Sequence, residues 1–195
     1  MKNTIRAITL TGAAVAVAAT GFAAAPSAMA STDHQGKSPA ASAHKATGKA
    51  QASDQISDDR RSTIIERANS WVNNPVPYNM NGSAPDPDGK YYRADCSGFV
   101  SMAWGLDDSY STVTLPDVSH EIAKDDLKPG DILLKGGPGT GGANGHVTIF
   151  NGWANDDHTA YNGIEQSGSQ NTVAREIAYP YDQDSSYVPY RLDQP

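Results

Sequence analysis

A chain with one cysteine cannot staple itself. Cys96 is the single cysteine in 195 residues, so the fold has to be held by an apolar core and not by an internal disulfide. The N-terminus makes this constraint informative. Lys2 and Arg6 precede an almost uncharged small-apolar run from Ala7 to Ala25, and Ala28-Met29-Ala30 has the small-x-small form of a cleavage site. Residues 1–30 read as a signal peptide and the mature chain as a secreted protein starting near Ser31. The run is long enough for an uncleaved anchor to be the alternative, but its alanines and glycines make it weakly hydrophobic and favour cleavage. No cysteine follows the run to take a lipid. Exported proteins usually pair their cysteines, so an odd thiol there points to a reactive group or to intermolecular pairing.

Residues 31–56 hold almost nothing large and apolar and read as a disordered Ala/Ser/Lys linker. His34 and His44, within it, are expected to be solvated. Residues 57–195 suffice for one compact domain with a real core. That domain has ten Lys and Arg against twenty Asp and Glu. An acidic domain without a basic stripe excludes nucleic acid and stable association with an anionic membrane, and suits a neutral or zwitterionic substrate. The protein is expected to be a monomer.

The domain opens with a helix, capped by Ser57 or Asp58, in which Ile64, Ile65, Ala68, Trp71 and Val72 share one face and which Asn73-Asn74-Pro75 ends. Pro75 to Lys90, rich in Pro, Asn, Gly and Asp, reads as loop. A second helix begins at Asp95-Cys96-Ser97-Gly98 and carries Phe99, Val100, Ala103 and Trp104 on an apolar face. Residues 107–114 read as irregular, and Pro116 to Ala123 as a short helix. Leu127 to Asp131 is a turn into the strand Ile132-Leu133-Leu134. Gly136 to Gly145, with six glycines and no phosphate-binding ending, reads as a mobile surface loop. Strands follow at His146–Phe150, Tyr161–Gln166, Val173–Ile177 and Tyr187–Arg191, the first two as an antiparallel hairpin. Helices first and strands afterwards make the domain α+β, with the helices packed on a small antiparallel sheet.

Cys96 falls at a helix N-terminus, where unpaired N–H groups and the positive dipole end favour thiolate. Its neighbours Asp95, Ser97 and Gly98 are poor company for a buried apolar residue. A nucleophilic thiol needs a base. His120, in the expected short helix, and His158, in a turn beside two aspartates, read as surface residues. His146 starts a strand, a rigid platform from which to meet a helix N-terminus. A third polar group should orient it. If the hairpin turn centres between Asn155 and Asp156, His146 stands directly opposite Glu165 and on the same face. A tighter turn brings His158 towards the site instead.

Val76-Pro77-Tyr78, Asp95-Cys96-Ser97-Gly98-Phe99-Val100, Leu115-Pro116, Leu127-Lys128-Pro129-Gly130-Asp131 and Gly145-His146-Val147 together resemble the NlpC-type cell-wall peptidases. The resemblance implies a papain-like fold and a cysteine endopeptidase or amidase acting on peptidoglycan stem peptides. It implies Cys96 as nucleophile, His146 as base, and Tyr78, Asp95 and Ser97 as the pocket that reads the free amino end of the stem peptide. Neither metal nor cofactor is implied. The family's paired glycines after the tyrosine are replaced here by Asn79-Met80-Asn81-Gly82. Its third polar residue, about a dozen positions after the histidine, falls on His158. The CHAP amidases place a glutamate in a stretch similar to Ile164-Glu165-Gln166-Ser167, and the hairpin geometry favours Glu165. The bond cut is either the D-Glu to diamino-acid link or a cross-bridge amide. Transfer of the acyl group to an amine, and a wall-binding module with an inert thiol, are the other readings.

Overall fold

The structure is a computed structural model that describes residues 56–193. The expected signal peptide and all but the last residue of the expected linker lie outside that range. Ile56, read as the end of the linker, is buried in the core.

Helix α1 (Asp58–Asn73) starts where Ser57 Oγ accepts a hydrogen bond from the Arg60 N–H at 3.2 Å, and Asp58 and Asp59 place negative charge in its first turn. It buries Ile64, Ala68 and Trp71. Helix α2 (Cys96–Trp104) is short and buried at every one of its nine residues, more completely than one apolar stripe suggests. Its serines are therefore hydrogen-bonded: Ser101 Oγ donates to Ser97 O at 2.8 Å and accepts from the Tyr110 N–H at 2.9 Å. Gly98 lets the first turn press onto the preceding strand, since a Cβ there would collide with the Arg93 carbonyl oxygen. Gly105, at φ +68°, closes the helix in the left-handed conformation.

Eight strands follow in chain order: β1 (Asn79–Pro85), β2 (Tyr91–Ala94), β3 (Ser119–Glu121), β4 (Ile132–Lys135), β5 (His146–Trp153), β6 (Ala160–Ser167), β7 (Asn171–Ala178) and β8 (Val188–Leu192). β1 and β2 form a separate hairpin, while the others make a six-stranded antiparallel sheet in the order β3-β8-β4-β5-β6-β7. Alternation along the strands divides the core in two. Ile132, Leu134, Val147, Ile149 and Ile164 pack with Trp71, Phe99 and Val100 of the helices. Leu133, Phe150, Tyr161 and Ile177 form a second cluster with Tyr187. The expected α+β, papain-like arrangement of N-terminal helices on a small antiparallel sheet is what is found. Asp131 of the Lys-Pro-Gly-Asp turn is fully buried between Arg61 (2.9 Å) and Arg191 (2.8 Å), tying α1 and β8 to the start of β4.

Four expectations are corrected. The Pro75–Lys90 segment is not all loop, because it contains β1. That strand pairs only with β2, is mostly exposed and is bulged between Asn79 and Ser83, so it has no apolar alternation to display. Asp86 closes its turn by accepting the N–H groups of Asp88 and Lys90. The expected helix at 116–123 is a single 3₁₀ turn, Leu115–Val118, after which the chain joins the sheet edge as β3 with His120 opposite Arg191. The Gly136–Gly145 loop is tethered: Thr112 Oγ1 donates to Thr140 O at 2.7 Å and the Gly137 N–H to Thr112 O at 3.0 Å. Gly145 allows the close approach, as a Cβ there would lie 2.6 Å from Thr112 Oγ1.

The fourth correction is the register of the β5–β6 hairpin. Ile149 pairs with Ile164 and Phe150 with Gly163, so continuing the ladder sets Glu165 opposite Thr148 and not opposite His146. The slip is two residues, and an even slip keeps every side chain on its face. His146 and Glu165 are therefore diagonal neighbours, still within reach.

Candidate active site

The capping chemistry of α2 places the thiol. Asp95 takes the N-cap, its Oδ1 accepting the Gly98 N–H at 2.7 Å, so Cys96 becomes the first helical residue. N–H groups in that turn have no acceptor within the helix. Cys96 is 5% exposed.

His146 meets it from the first residue of β5. The carboxylate of Glu165 is acceptor only, so the imidazole Nε2–H donates to Oε2 at 2.6 Å. The other ring nitrogen, Nδ1, is not used by Glu165, and Cys96 lies close enough to help raise the imidazole pKa. Glu165 is fully buried and held from three sides. Besides His146, the Arg175 Nε–H donates to Oε1 at 2.6 Å and the Tyr181 hydroxyl to Oε2 at 2.9 Å. Tyr181 and Tyr187 stack with ring centroids 4.4 Å apart, and Tyr181 meets the imidazole edge-on at 5.1 Å. The ring is thus fixed by a hydrogen bond at one end and aromatic packing on its flank.

The electrostatics follow. Burial pushes the His146 pKa down, but hydrogen bonds and negative charge from Cys96 and Glu165 outweigh this and raise it to about 9. Burial alone would raise Glu165; its bonds to His146 and Arg175 win and hold it below the ordinary carboxylate range. The imidazole is therefore cationic at neutral pH beside the Cys96 side chain at a helix start.

The other expected site residues gather at the same place. Tyr78, Asp95 and Ser97 line a cavity of about 210 Å³ that opens on Cys96. His158 does not approach the site. It sits at the far end of β5, in a turn with φ +54°, its ring stacked 4.4 Å from Trp153. His120 pairs with Asp193 at 2.6 Å on the sheet edge. Among the described residues no cluster of His, Cys, Asp or Glu could hold a metal ion, and no helix is long and apolar enough to cross a membrane.

Sequence reasoning passed over three residues here. Arg175 shares the parity of buried Ile177 on β7, and an arginine at a core-facing strand position was the available signal. Arg93, two residues before the cap, forks onto Asp95 with bonds of 2.6 and 3.2 Å. Gln166 donates from Nε2 to Val76 O (3.0 Å) and Ala94 O (3.3 Å), pinning the residue before the cap to β6.

A family model for the NlpC/P60 family matches residues 75–180, more than half of the chain and a span that includes Cys96, His146 and Glu165. The chain belongs to the NlpC/P60 family. NlpC/P60 proteins are generally cysteine peptidases and amidases of the cell wall. Among solved structures, the chain is similar to a Staphylococcus aureus protein described as similar to lipoprotein, NLP/P60 family. That match has 14% identity and a TM-score of 0.50, over 74% of this chain and 45% of that one. It is also similar to NlpC1 from Trichomonas vaginalis, at 20% identity and a TM-score of 0.41, over 69% of this chain and 45% of that one. The chain thus spans less than half the length of either structure. No curated protein matches it.

Proposed function

We propose that this NlpC/P60 protein is a secreted cysteine hydrolase that cleaves an amide bond within peptidoglycan stem peptides, with Cys96 as nucleophile, His146 as acid and base, and Glu165 as the group that orients His146. The observation that carries the reading is the 2.6 Å bond that His146 Nε2–H donates to Glu165, which leaves the other ring nitrogen free to serve Cys96. Tyr78, Asp95 and Ser97 line the pocket for the acyl side of the substrate.

The Cys96 thiolate attacks the amide carbonyl, and the Cys96 N–H at the helix start is aimed at the oxyanion that develops. As the tetrahedral intermediate collapses, the imidazolium gives its Nδ1 proton to the departing amine, leaving a thioester on Cys96. Neutral His146 then takes a proton from water, the resulting hydroxide equivalent adds to the thioester, and the carboxylic acid and thiolate are released. The test is mass spectrometry of purified peptidoglycan incubated with the mature protein. New muropeptides severed within the stem are expected; an unchanged muropeptide profile overturns the reading, and the masses identify the bond.

The reactive form needs His146 protonated, so kcat/KM should fall as pH rises through about 9. Stability should move with it. A histidine whose pKa is raised on folding adds stability that is complete below its unfolded value of 6.5 and lost as pH climbs through about 9. Glu165→Gln removes a charge that raises this pKa, so its alkaline limb should lie at lower pH. A limb unmoved by that change would dissociate Glu165 from the acid–base group.

Arg175 is a positioning residue in this scheme. Arg175→Met leaves the Glu165 carboxylate in place but loses the Nε bond that fixes Oε1. About a tenfold fall in kcat with little change in KM is expected, on the order of 1.4 kcal/mol. The alkaline limb should move upward, opposite to Glu165→Gln, because a cation near the imidazolium has gone. Equal pH profiles for Arg175→Met and wild type would reduce Arg175 to a packing role.

A further inference from the structure

Arg61 is charged, buried and only partly paired. The residue is 5% exposed, and its Nη1 donates to Asp131 Oδ1 at 2.9 Å and to Pro129 O at 2.8 Å. Its Nε and Nη2 have no hydrogen-bond partner among the described residues. Buried donors are nearly always paired, and donors on a buried cation most of all. These two nitrogens are neighbours within the side chain. Their N–H bonds make the side-on edge of the guanidinium, which grips the two oxygens of a carboxylate. Asp131 cannot serve that edge. Its Oδ1 accepts from Arg61 and, at 3.1 Å, from Arg191 Nε, while Oδ2 accepts from the Lys128 N–H at 2.9 Å and from Arg191 Nη2 at 2.8 Å. Two bonds to each oxygen fill its acceptor positions, and its one negative charge is shared by two guanidiniums.

The same arginine lines a cavity of about 470 Å³ between α1 and the turn that leads into β4. This cavity lies away from the thiol. Asn151, in its wall, follows His146 along β5 at a distance of about 16 Å. It shares no lining residue with the pocket that opens on Cys96. Asp58, Ser62, Glu66 and Lys128 form its rim and are exposed, so an entering group displaces surface side chains and leaves the core in place. The charges are arranged by depth. A buried guanidinium edge asks for an anion, whereas the rim carboxylates of Asp58 and Glu66 repel a dianion such as phosphate and attract an ammonium.

We propose that this cavity is a second binding site, built for a small zwitterion of dipeptide size with a free carboxylate and a free ammonium. The carboxylate takes the Nε–Nη2 edge of Arg61 as a two-pronged pair, and the ammonium stays at the rim with Asp58 and Glu66. A simple anion would be opposed by the rim, and a simple cation by Arg61. The site uses neither Cys96 nor His146, so it stands apart from the hydrolase reading and is tested without turnover.

The test titrates isotopically labelled mature protein with alanyl-alanine, with its C-terminal amide and with its N-acetyl derivative, following backbone amide shifts by NMR. Saturable shifts are expected at Ser62, Lys128 and Asn151. The C-terminal amide, which lacks the charge and the second oxygen, should bind roughly tenfold more weakly. The N-acetyl form, which lacks the ammonium, should bind about threefold more weakly, a smaller loss because the rim is solvated. Equal affinity for the dipeptide and either derivative overturns the proposal, as does the absence of saturable shifts at those residues up to the solubility limit. Shifts confined to Tyr78, Asp95 and Ser97 also overturn it, since they place the dipeptide beside the thiol. Arg61→Lys keeps a cation next to Asp131 but has no side-on edge, and it should erase the preference for acid over amide. Glu66→Gln, an exposed change, should reduce the preference for the free amine and leave the acid preference intact. If Arg61→Lys fails to fold, the wild-type comparison and Glu66→Gln decide.

Discussion

Cys96→Ala should fold normally and release no muropeptides. The side chain is buried at the start of α2, and removing one sulfur from a packed position costs about 1 kcal/mol, in line with other small core truncations. The cap that organises the turn belongs to Asp95 and is untouched. Cys96 is the one thiol in the chain, and no second nucleophile stands beside His146 to replace it. Loss of a nucleophile from such a unit lowers turnover on the order of 10⁴- to 10⁶-fold, which takes release below detection. Chromatography of peptidoglycan digests, run with thermal unfolding of the same preparation, checks both halves. Normal release by a folded Cys96→Ala protein would end the thiol mechanism.

The next largest effect is expected at Glu165. Glu165→Ala and Glu165→Gln should each lower kcat/KM by about a hundredfold or more, near 3 kcal/mol, because the imidazolium loses its counter-charge. With glutamine, the shape and a hydrogen-bond acceptor remain, so a folded Glu165→Gln protein separates charge from packing. His158→Ala should stay within a few-fold, since its ring rests on Trp153 at the opposite end of the strand. Measured on one defined stem peptide, a large loss in His158→Ala beside near-normal Glu165→Ala would reverse the assignment.

What could be read from the chain depended on how local the signal was. The start of α2 was legible because Asp95, Ser97 and Gly98 act within one turn of Cys96, and capping is a short-range effect. The His146–Glu165 relation was legible for a subtler reason. Centring the turn one residue too early slips the pairing by two, yet period-two geometry makes that slip harmless, because parity and not pairing decides which side chains share a face. β1 and β3 were hidden because neither alternates. One is an exposed, bulged hairpin strand; the other is three residues long at a sheet edge. Arg93 and Arg175 were hidden because their importance lies in partners. Arg93 clamps a carboxylate two residues away to carbonyls sixteen and seventeen residues downstream, and Arg175 reaches Glu165 across a ladder whose register no residue pattern discloses.

Consecutive residues of β6 address opposite halves of the molecule. Glu165 turns to one side and holds the imidazole; Gln166 turns to the other and holds the backbone at Ala94, next to the cap of the helix that carries the thiol. One peptide unit therefore works as a caliper between nucleophile and base. The hairpin turn at 154–159 can lengthen or shorten among related chains without touching that gauge. A single residue gained or lost within β6 ahead of Glu165, where the strand is already paired with β7, would exchange the two sides, sending a carboxylate towards the helix start and an amide towards the histidine. Tolerance to insertion in this fold should accordingly change abruptly along one strand, permissive at its beginning and closed at its end.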